Sequence, residues 1–329
     1  FDALSGTVTI AAGETSASVV INALDDSSSD GTETVTLSVA QTAVYDVDLD
    51  TATLNIRDQF NGAGVDALFP LSETLFLNSL PDARHTIYLD FFGGNYNGGS
   101  TIVDAYDTDG NVSVLSDQEL SDIQDIWIRA AEDFLPFNVN VTTEDPGDAA
   151  LRNTGGSDLE WGARILIGDS GSLGFAISGG GFASNNNNAG FVSGDGDNRV
   201  RASGISHEVG HALGLSHDGV SGDNYYNGHA AGIGTWMTLM GTSVSGFSQW
   251  DRGSYIGSNN SQDDLAIITN LTNGFGYRPD DHTNSATTAT PLVSIGGVAS
   301  TQLGEGIVEQ NTDFDLFSFS VTGGVFNFS

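Results

Sequence analysis

One window of eleven residues constrains this chain more than any other stretch of it. Three of the six histidines, His207, His211 and His217, lie in that window with the spacing H-E-x-x-H-x-x-G-x-x-H. Side chains four residues apart on a helix project from one face, so the first two histidines can bind one metal ion. Gly214 can adopt the backbone conformation that ends a helix and turns the chain back. The window therefore predicts a metal-binding helix, then a turn that brings His217 round as third ligand.

The donor set of this window is typical of a catalytic zinc ion. Three protein ligands leave the fourth coordination position for water, whereas structural zinc sites are closed by four. Glu208 lies beside the histidines, where its carboxylate can reach that water without ligating the metal. The short H-E-x-x-H pattern also occurs by chance in solvated helices. The extended pattern fixes five positions, and its chance occurrence is well below about one in a thousand.

With these residues the sequence resembles the metzincin family of zinc metalloendopeptidases. Asp218, directly after the third histidine, resembles the reprolysin (adamalysin-like) branch, and residues 234–241 resemble the family's Met-turn. Met240 is the better match to the turn methionine, and Met237 is the alternative. The resemblance implies an α+β catalytic domain with a twisted mixed sheet, an active-site helix and a Met-turn. It also implies a zinc cofactor, Glu208 as general base and acid, and a methionine packed beneath the ligands.

The resemblance also implies where a peptide substrate binds. Residues 173–177 lie where metzincins place the edge strand above the cleft, and an edge strand can pair with an extended peptide. Gly174, Phe175 and Ala176 are therefore candidate substrate-binding residues, with an internal strand end as the equal alternative. Some metzincin branches carry a tyrosine two residues after the turn methionine. This chain has none there, unless Tyr225 or Tyr226 substitutes for it.

The charge of the chain restricts its partners. It has 43 acidic residues against 9 basic ones, all Arg, and a net charge of −34. Such a surface repels a phosphate backbone, so nucleic acid is excluded as a partner, and anionic membrane surfaces are disfavoured. A protein or peptide substrate is compatible with it. The sequence leaves the oligomeric state and the cleavage specificity open.

Cysteine usage and hydropathy bear on location. The chain has no Cys, so disulfides and a latency mechanism based on a propeptide cysteine are excluded. No apolar run approaches the length of about 18 residues that a transmembrane helix needs. Absence of Cys fits a cytosolic protein and also a secreted bacterial protein stabilised by calcium. We expect a secreted or cell-surface bacterial protein, of which this chain is a fragment without its signal sequence.

Residues 1–58 are predicted to form β-structure. Alternating or β-branched runs at 7–10, 17–22, 34–39 and 52–56 are separated by turns of Gly, Asp and Ser. The segment resembles part of a Calx-beta domain, a β-sandwich that binds calcium at one end. The resemblance makes four acids candidate calcium ligands, with solvated turn acids as the equal alternative: Asp25, Asp26, Glu33 and Asp58. Residues 59–79 are predicted to be a linker.

The catalytic domain is predicted to span residues 80–278. Strands are expected at 85–91, 137–142, 164–167 and 190–193, and the zinc helix at about 200–214. Ser116 and Glu119 form a capping-box pattern that opens another helix. A last helix is expected to begin at a second capping pattern, with Ser261 as its cap and Leu265, Ile268 and Leu271 on its apolar face.

Two further groups of residues complete the predictions. Residues 279–329 resemble the start of a bacterial pre-peptidase C-terminal domain, which is a β-sandwich. Asp-Gly turns place three more acids as candidate calcium ligands, although turn formation explains these acids equally well: Asp169, Asp195 and Asp197.

The sequence thus predicts a secreted, zinc-dependent endopeptidase with calcium as a second cofactor. A cell-surface adhesion or binding module with an inactive or structural zinc site is the alternative. Neither an inactive nor a structural zinc site needs a carboxylate beside the metal. The presence of Glu208 therefore favours the endopeptidase over the binding module.

Overall fold

A computed structural model describes ten stretches of the chain: residues 33–38, 51–56, 67–96, 101–168, 181–186, 190–193, 197–231, 234–242, 246–294 and 302–319. The chain divides into two compact units, Phe1–Asp66 and Ala67–Ser329. None of the helices in the described ranges has the length and apolar character needed to cross a bilayer.

The first unit contains a two-stranded antiparallel sheet. Strand β1 (Glu33–Ser38) pairs with β2 (Thr51–Ile56), with Glu33 opposite Ile56 and Leu37 opposite Ala52. Both strands lie within one residue of the runs predicted at 34–39 and 52–56. The other two predicted strands and three calcium candidates, Asp25, Asp26 and Asp58, fall outside the described residues. Glu33 is the first residue of β1, and its side chain is not described.

A four-stranded parallel sheet forms the centre of the second unit. Its strands are β3 (His85–Asp90), β6 (Asn140–Thr142), β7 (Trp161–Gly168) and β8 (Gly190–Ser193), in the spatial order β6-β3-β7-β8. Every pairing between them is parallel. Parallel sheets are covered on both faces, and these strands are accordingly almost wholly buried. The mixed sheet that we expected would need another strand, and the candidate at 173–177 lies outside the described residues.

Shorter strands surround this sheet. An antiparallel hairpin joins β4 (Gly94–Tyr96) and β5 (Thr101–Val103). A three-stranded sheet contains β9 (His229–Ala231), β10 (Gly234–Thr238) and β11 (Phe247–Gln249). Near the end of the chain, β12 (Thr290–Pro291) pairs with β15 (Phe317–Ser318), and β13 (Val293–Ser294) with β14 (Gln302–Leu303).

Helix α1 (Asp117–Asp133) begins at the predicted capping box. The Ser116 hydroxyl accepts a hydrogen bond from the Glu119 N–H at 3.3 Å, and the Glu119 carboxylate accepts one from the Ser116 N–H at 2.8 Å. The helix ends with Phe134 as C-cap, before Pro136. Its apolar side faces the core, which contains Ile123, Trp127, Ala130 and Phe134.

Residues 67–79, which the sequence assigns to a linker, pack against α1. They include the 3-10 helix Leu71–Phe76, in which Thr74 is fully buried. The amide of Gln124 donates to the carbonyl of Phe69 at 3.0 Å and to the Thr74 hydroxyl at 2.7 Å. A second 3-10 helix, Asp148–Leu151, follows β6. The C-terminal part of the predicted linker therefore belongs to the same unit as the sheet.

Helix α2 (Asn198–Ala212) follows β8 and carries the H-E-x-x-H residues. Its Ile205 and Val209 are fully buried in the same core cluster as Ile123 and Trp127 of α1. The Ser206 hydroxyl also donates to the Asp133 carboxylate of α1 at 2.6 Å. The Asn198 amide donates to the Asp122 carboxylate of α1 at 2.9 Å as well. The zinc helix is thus fixed against α1 by apolar packing and by two side-chain hydrogen bonds.

The last helix differs from the prediction. Helix α3 is the short stretch Asp264–Ile268, and its N-cap is Asp263, whose carboxylate accepts from the Ala266 N–H at 3.1 Å. Ser261 was therefore the wrong cap, because a second capping residue stands two positions later and takes its place. Leu271 lies beyond the helix and is fully exposed, while Ile268 is buried.

Replacing Ser116 with Ala should lower the free energy of unfolding by about 1 kcal/mol, the usual loss for an N-cap hydroxyl. Ser113→Ala is the matched control, because Ser113 is exposed and lies before the helix. Denaturant unfolding of both variants measures the difference. Equal values for the two would contradict a stabilising cap at Ser116.

Candidate metal centre and active site

Three histidine side chains converge at the end of α2. His207 and His211 lie on one face of the helix, and their ring centroids are 4.8 Å apart. Gly214 has a φ of 104°, the left-handed conformation that the sequence predicts for it. The turn brings the His217 ring to 4.6 Å from His211 and 5.2 Å from His207. One ligand nitrogen from each ring lies within 4.8 Å of the others, so the three can hold one metal ion.

Backbone carbonyls orient two of the three rings. The Nδ1 of His207 lies 2.7 Å from the carbonyl oxygen of Leu239, and the Nδ1 of His211 lies 2.8 Å from that of Leu215. A carbonyl only accepts, so each Nδ1 carries the proton and each Nε2 keeps its lone pair for a metal. Such contacts commonly fix the tautomer of metal-binding histidines.

The environment also keeps these rings neutral. Burial, and then the neighbouring His211, lowers the pKa of His207 to about 4. Burial likewise lowers the pKa of His211 and of His217. Metal ions bind the neutral imidazole, so the site has its binding form at neutral pH.

Glu208 follows His207 directly on α2 and is buried. The side chain is 5% exposed, and its Oε2 has no hydrogen-bond partner. Burial raises the pKa of its carboxyl to about 8. A cation nearby favours the ionised form and offsets this effect. Three neutral imidazole nitrogens that converge within 4.8 Å fit a zinc ion, for which histidine is a usual ligand.

Met240 packs directly against the zinc helix. It is fully buried, and a Cβ placed on Gly210 of α2 would lie 2.5 Å from the Met240 sulfur. The close approach therefore requires glycine between His207 and His211. The alternative turn residue, Met237, lies in β10 and faces Gly228, whose added Cβ would meet its Cγ at 2.9 Å.

Several hydrogen bonds anchor the chain after His217. The Asp218 N–H donates to the Met240 carbonyl at 2.8 Å, and the Asp218 carboxylate accepts from the Asn260 amide at 3.1 Å. The same amide lies 3.2 Å from the His217 carbonyl. Gln262 accepts a hydrogen bond from the Ser216 N–H at 2.8 Å. The chain around the third histidine is thus held by Met240, 22 positions after Asp218, and by Asn260 and Gln262, more than forty positions after the residues that they contact.

Tyr225, rather than Tyr226, lies at the histidines. Its ring centroid is 4.3 Å from that of His217, and the side chain is 41% exposed. Tyr226 instead stacks on Tyr255 at 4.0 Å and lies hydrogen-bonded to His229 at 2.5 Å. The sequence named both tyrosines and had no signal to choose between them.

The remaining predicted site residues lie elsewhere or are not described. Asp197 is the N-cap of α2, where its carboxylate accepts from the Val200 N–H at 2.9 Å. It belongs to no group of three metal-ligating side chains among the described residues. Two acids and the three edge-strand candidates lie outside the described ranges: Asp169, Asp195, Gly174, Phe175 and Ala176.

Part of the chain matches a known family. Residues 100–218 match the family described as Metallo-peptidase family M12B, Reprolysin-like. The matched segment begins at the first residues of β5, contains α1, the sheet strands β6 to β8 and α2, and ends directly after His217. No curated protein matches the chain.

Replacing Gly210 with Ala should force the buried Met240 sulfur to move. Overpacking a core costs about 1–3 kcal/mol, which outweighs the gain in helix propensity of about 1 kcal/mol at most sites. We expect weaker zinc binding and a lower free energy of unfolding. Gly276→Ala is the control, because a Cβ there would meet nothing within 4 Å. Zinc affinity equal to that of the control would contradict a close packing role for Met240.

Proposed function

We propose that this chain, a zinc metalloendopeptidase, cleaves peptide bonds with Glu208 as the proton carrier and with zinc held by His207, His211 and His217. The enzyme class rests on the reprolysin-like match and the three convergent histidines. The observation that supports the residue roles is the buried Glu208, which follows His207 on α2 and whose Oε2 has no hydrogen-bond partner.

Each residue has a separate part in the proposed reaction. Bound zinc would supply the Lewis acidity that a water molecule and a peptide carbonyl need at neutral pH. Glu208 accepts the proton of the attacking water and then delivers it to the departing amine. Met240 supports the ligands from beneath and does not bind the metal.

Two contacts support an open rather than a closed metal site. The third ligand, His217, is followed by Asp218, whose carboxylate is turned away to the Asn260 amide. Within the described residues, the group around the three histidines contains no fourth His, Cys, Asp or Glu. A structural zinc site normally has four protein ligands. This difference favours an enzyme over a binding module with a structural zinc ion.

The substrate is proposed to be a protein or an extended peptide. Pairing with an edge strand at residues 174–176 would supply main-chain hydrogen bonds without selecting side chains. A secreted or cell-surface bacterial location is part of the same proposal. It is supported by the absence of Cys and by the acidic surface, with 43 acidic residues against 9 basic ones.

Replacing Glu208 with Gln should leave zinc bound while turnover falls by about two to four orders of magnitude, because the amide cannot accept the proton. Peptidase assays, with zinc content measured by atomic absorption, provide the two readouts. Glu132→Gln is the matched control, because Glu132 is an exposed acid at the end of α1. Near-normal turnover in Glu208→Gln would contradict the mechanism, and loss of zinc would make Glu208 a ligand.

Replacing His211 with Ala should instead release the metal, because a three-ligand site loses a third of its donors. Zinc content and activity should fall together, while far-ultraviolet circular dichroism stays close to that of the parent. Collapse of the fold on metal loss would indicate a structural zinc ion.

Digestion of a mixed peptide library by the zinc-loaded chain tests the enzyme itself and maps the cleaved bonds. We expect cleavage in the parent protein and in Glu132→Gln, and none in Glu208→Gln. No cleavage by the fully loaded parent would favour the alternative, a binding module with an inactive zinc site.

A further inference from the structure

Five carboxylates converge just beyond the last core residues of the second unit. Asp280, Asp281 and Glu309 form one group with ligand oxygens within 4.8 Å of one another, and Asp280, Asp313 and Asp315 form a second. Asp280 belongs to both groups, so the two groups adjoin each other. Four of the acids lie in the stretches 280–287 and 313–320, which carry the resemblance to a pre-peptidase C-terminal domain, and none of the five is among the calcium ligands expected from the sequence.

Glu309 has the least favourable environment of the five. Its side chain is only 5% exposed, and neither carboxylate oxygen has a hydrogen-bond partner. One oxygen each of Asp313 and Asp315 is also buried without a partner. Burial of a carboxylate without a hydrogen-bond donor or a counter-ion destabilises the folded state. Burial first, and then the Asp313 carboxyl, raises the pKa of Glu309 to about 7.

The surrounding protein groups do not balance this charge. A cavity of about 90 Å³ is lined by Asp280, Glu309 and Asp313, and Arg278 is the basic residue in its lining. The Arg278 Nη2 is buried without a hydrogen-bond partner, and its Nε donates to the Phe137 carbonyl at 3.3 Å. Both nitrogens of the His282 ring lie near protein oxygens, Glu305 O at 2.6 Å and Thr290 Oγ1 at 2.9 Å. Asp280, Asp281 and Asp313 each accept one backbone N–H, whereas neither oxygen of Glu309 accepts any. One guanidinium and three N–H groups therefore leave the charge of the five acids largely unbalanced.

A second acidic group differs, because its carboxylates accept hydrogen bonds from protein donors. Asp107, Asp109 and Glu119 also lie within 4.8 Å of one another. Glu119, however, accepts hydrogen bonds from the N–H and hydroxyl groups of Thr108 and of Ser116. Asp107 accepts three backbone N–H groups, those of residues 109, 110 and 111. These acids need no ion, and we assign none to them.

We propose that these two adjoining groups, Asp280, Asp281 and Glu309 and then Asp280, Asp313 and Asp315, bind calcium. Hard oxygen donors suit calcium, which takes six to eight of them in flexible geometry. The cavity leaves room for water to complete the coordination. Magnesium demands a nearly ideal octahedron and fewer carboxylates, so a cluster of five favours the larger ion. The inference is independent of the proposed peptidase activity.

The proposed ion would join two segments that are distant in sequence. Residues 280 and 281 follow directly on the bridge between Phe137 and Tyr277, and residues 309–315 precede β15. Without the ion, mutual repulsion and the buried Glu309 destabilise this junction. With the ion, the same acids stabilise it, since anything that binds only the folded state raises its stability.

The test uses the full chain, stripped of metals by chelation, reloaded with zinc and carrying Glu208→Gln to prevent self-digestion. Melting temperatures are measured with and without added calcium chloride, and isothermal titration gives the affinity. The variants are Glu309→Gln and Asp315→Asn. Asp109→Asn, in the group of Asp107, Asp109 and Glu119, is the matched control.

Calcium should raise the melting temperature of the parent and of Asp109→Asn. The same addition should have little effect on Glu309→Gln or Asp315→Asn, whose calcium affinity should fall by about tenfold or more with the lost charged ligand. In calcium-free buffer, Glu309→Gln should melt above the parent, because it removes an unpaired buried charge. This change in the order of the two melting temperatures is expected of an acid whose charge is neutralised by a bound ion.

Three results would overturn the proposal. The first is a parent melting temperature that calcium does not change. The second is an equal calcium response in Glu309→Gln and the parent, and the third is loss of the response in Asp109→Asn. An equal rise with magnesium chloride at the same concentration would overturn the assignment to calcium.

Discussion

The hydrogen bond between His207 and the Leu239 carbonyl, 2.7 Å long, is the contact on which the arrangement of the candidate site depends. It joins the zinc helix to the segment that contains Met240, and it fixes the ring nitrogen that faces the other histidines. The next residue, Met240, packs on Gly210, and its carbonyl accepts the N–H of Asp218. Leu239 and Met240, adjacent residues in the turn that follows β10, thus position the first ligand, the helix and the chain after the third ligand. A shift of this turn would disturb all of them together.

Local patterns predicted much of this structure. The capping box at Ser116, helix α2 and the turn at Gly214 each follow from residues within one or two helical turns. Local reasoning failed where two residues competed for one role, as Ser261 and Asp263 did at the start of α3. It also could not choose between Tyr225 and Tyr226, because their difference comes from tertiary contacts with His217 and Tyr255.

The acidic residues illustrate the same limit. Every Asp in a glycine-rich turn looks like a calcium ligand or a turn former, and the sequence gives no way to rank them. Asp197 and Asp107 prove to satisfy their carboxylates with backbone N–H groups. Glu309 stands in a stretch of sequence without a recognisable motif, yet both of its carboxylate oxygens are buried without a hydrogen-bond donor. What separates these cases is the supply of hydrogen-bond donors, which depends on chain segments far from the acid itself.

The anchoring of His217 bears on where a working catalytic fragment can end. The reprolysin-like match stops at residue 218 and includes all three histidines and Glu208. Yet the chain at 216–218 is held by Met240, Asn260 and Gln262, which lie beyond the match. A polypeptide that ends at residue 218 would keep all three proposed zinc ligands. It would lose the hydrogen-bonding groups that orient the third ligand, His217. The smallest autonomous catalytic unit is therefore longer than the segment by which it is recognised.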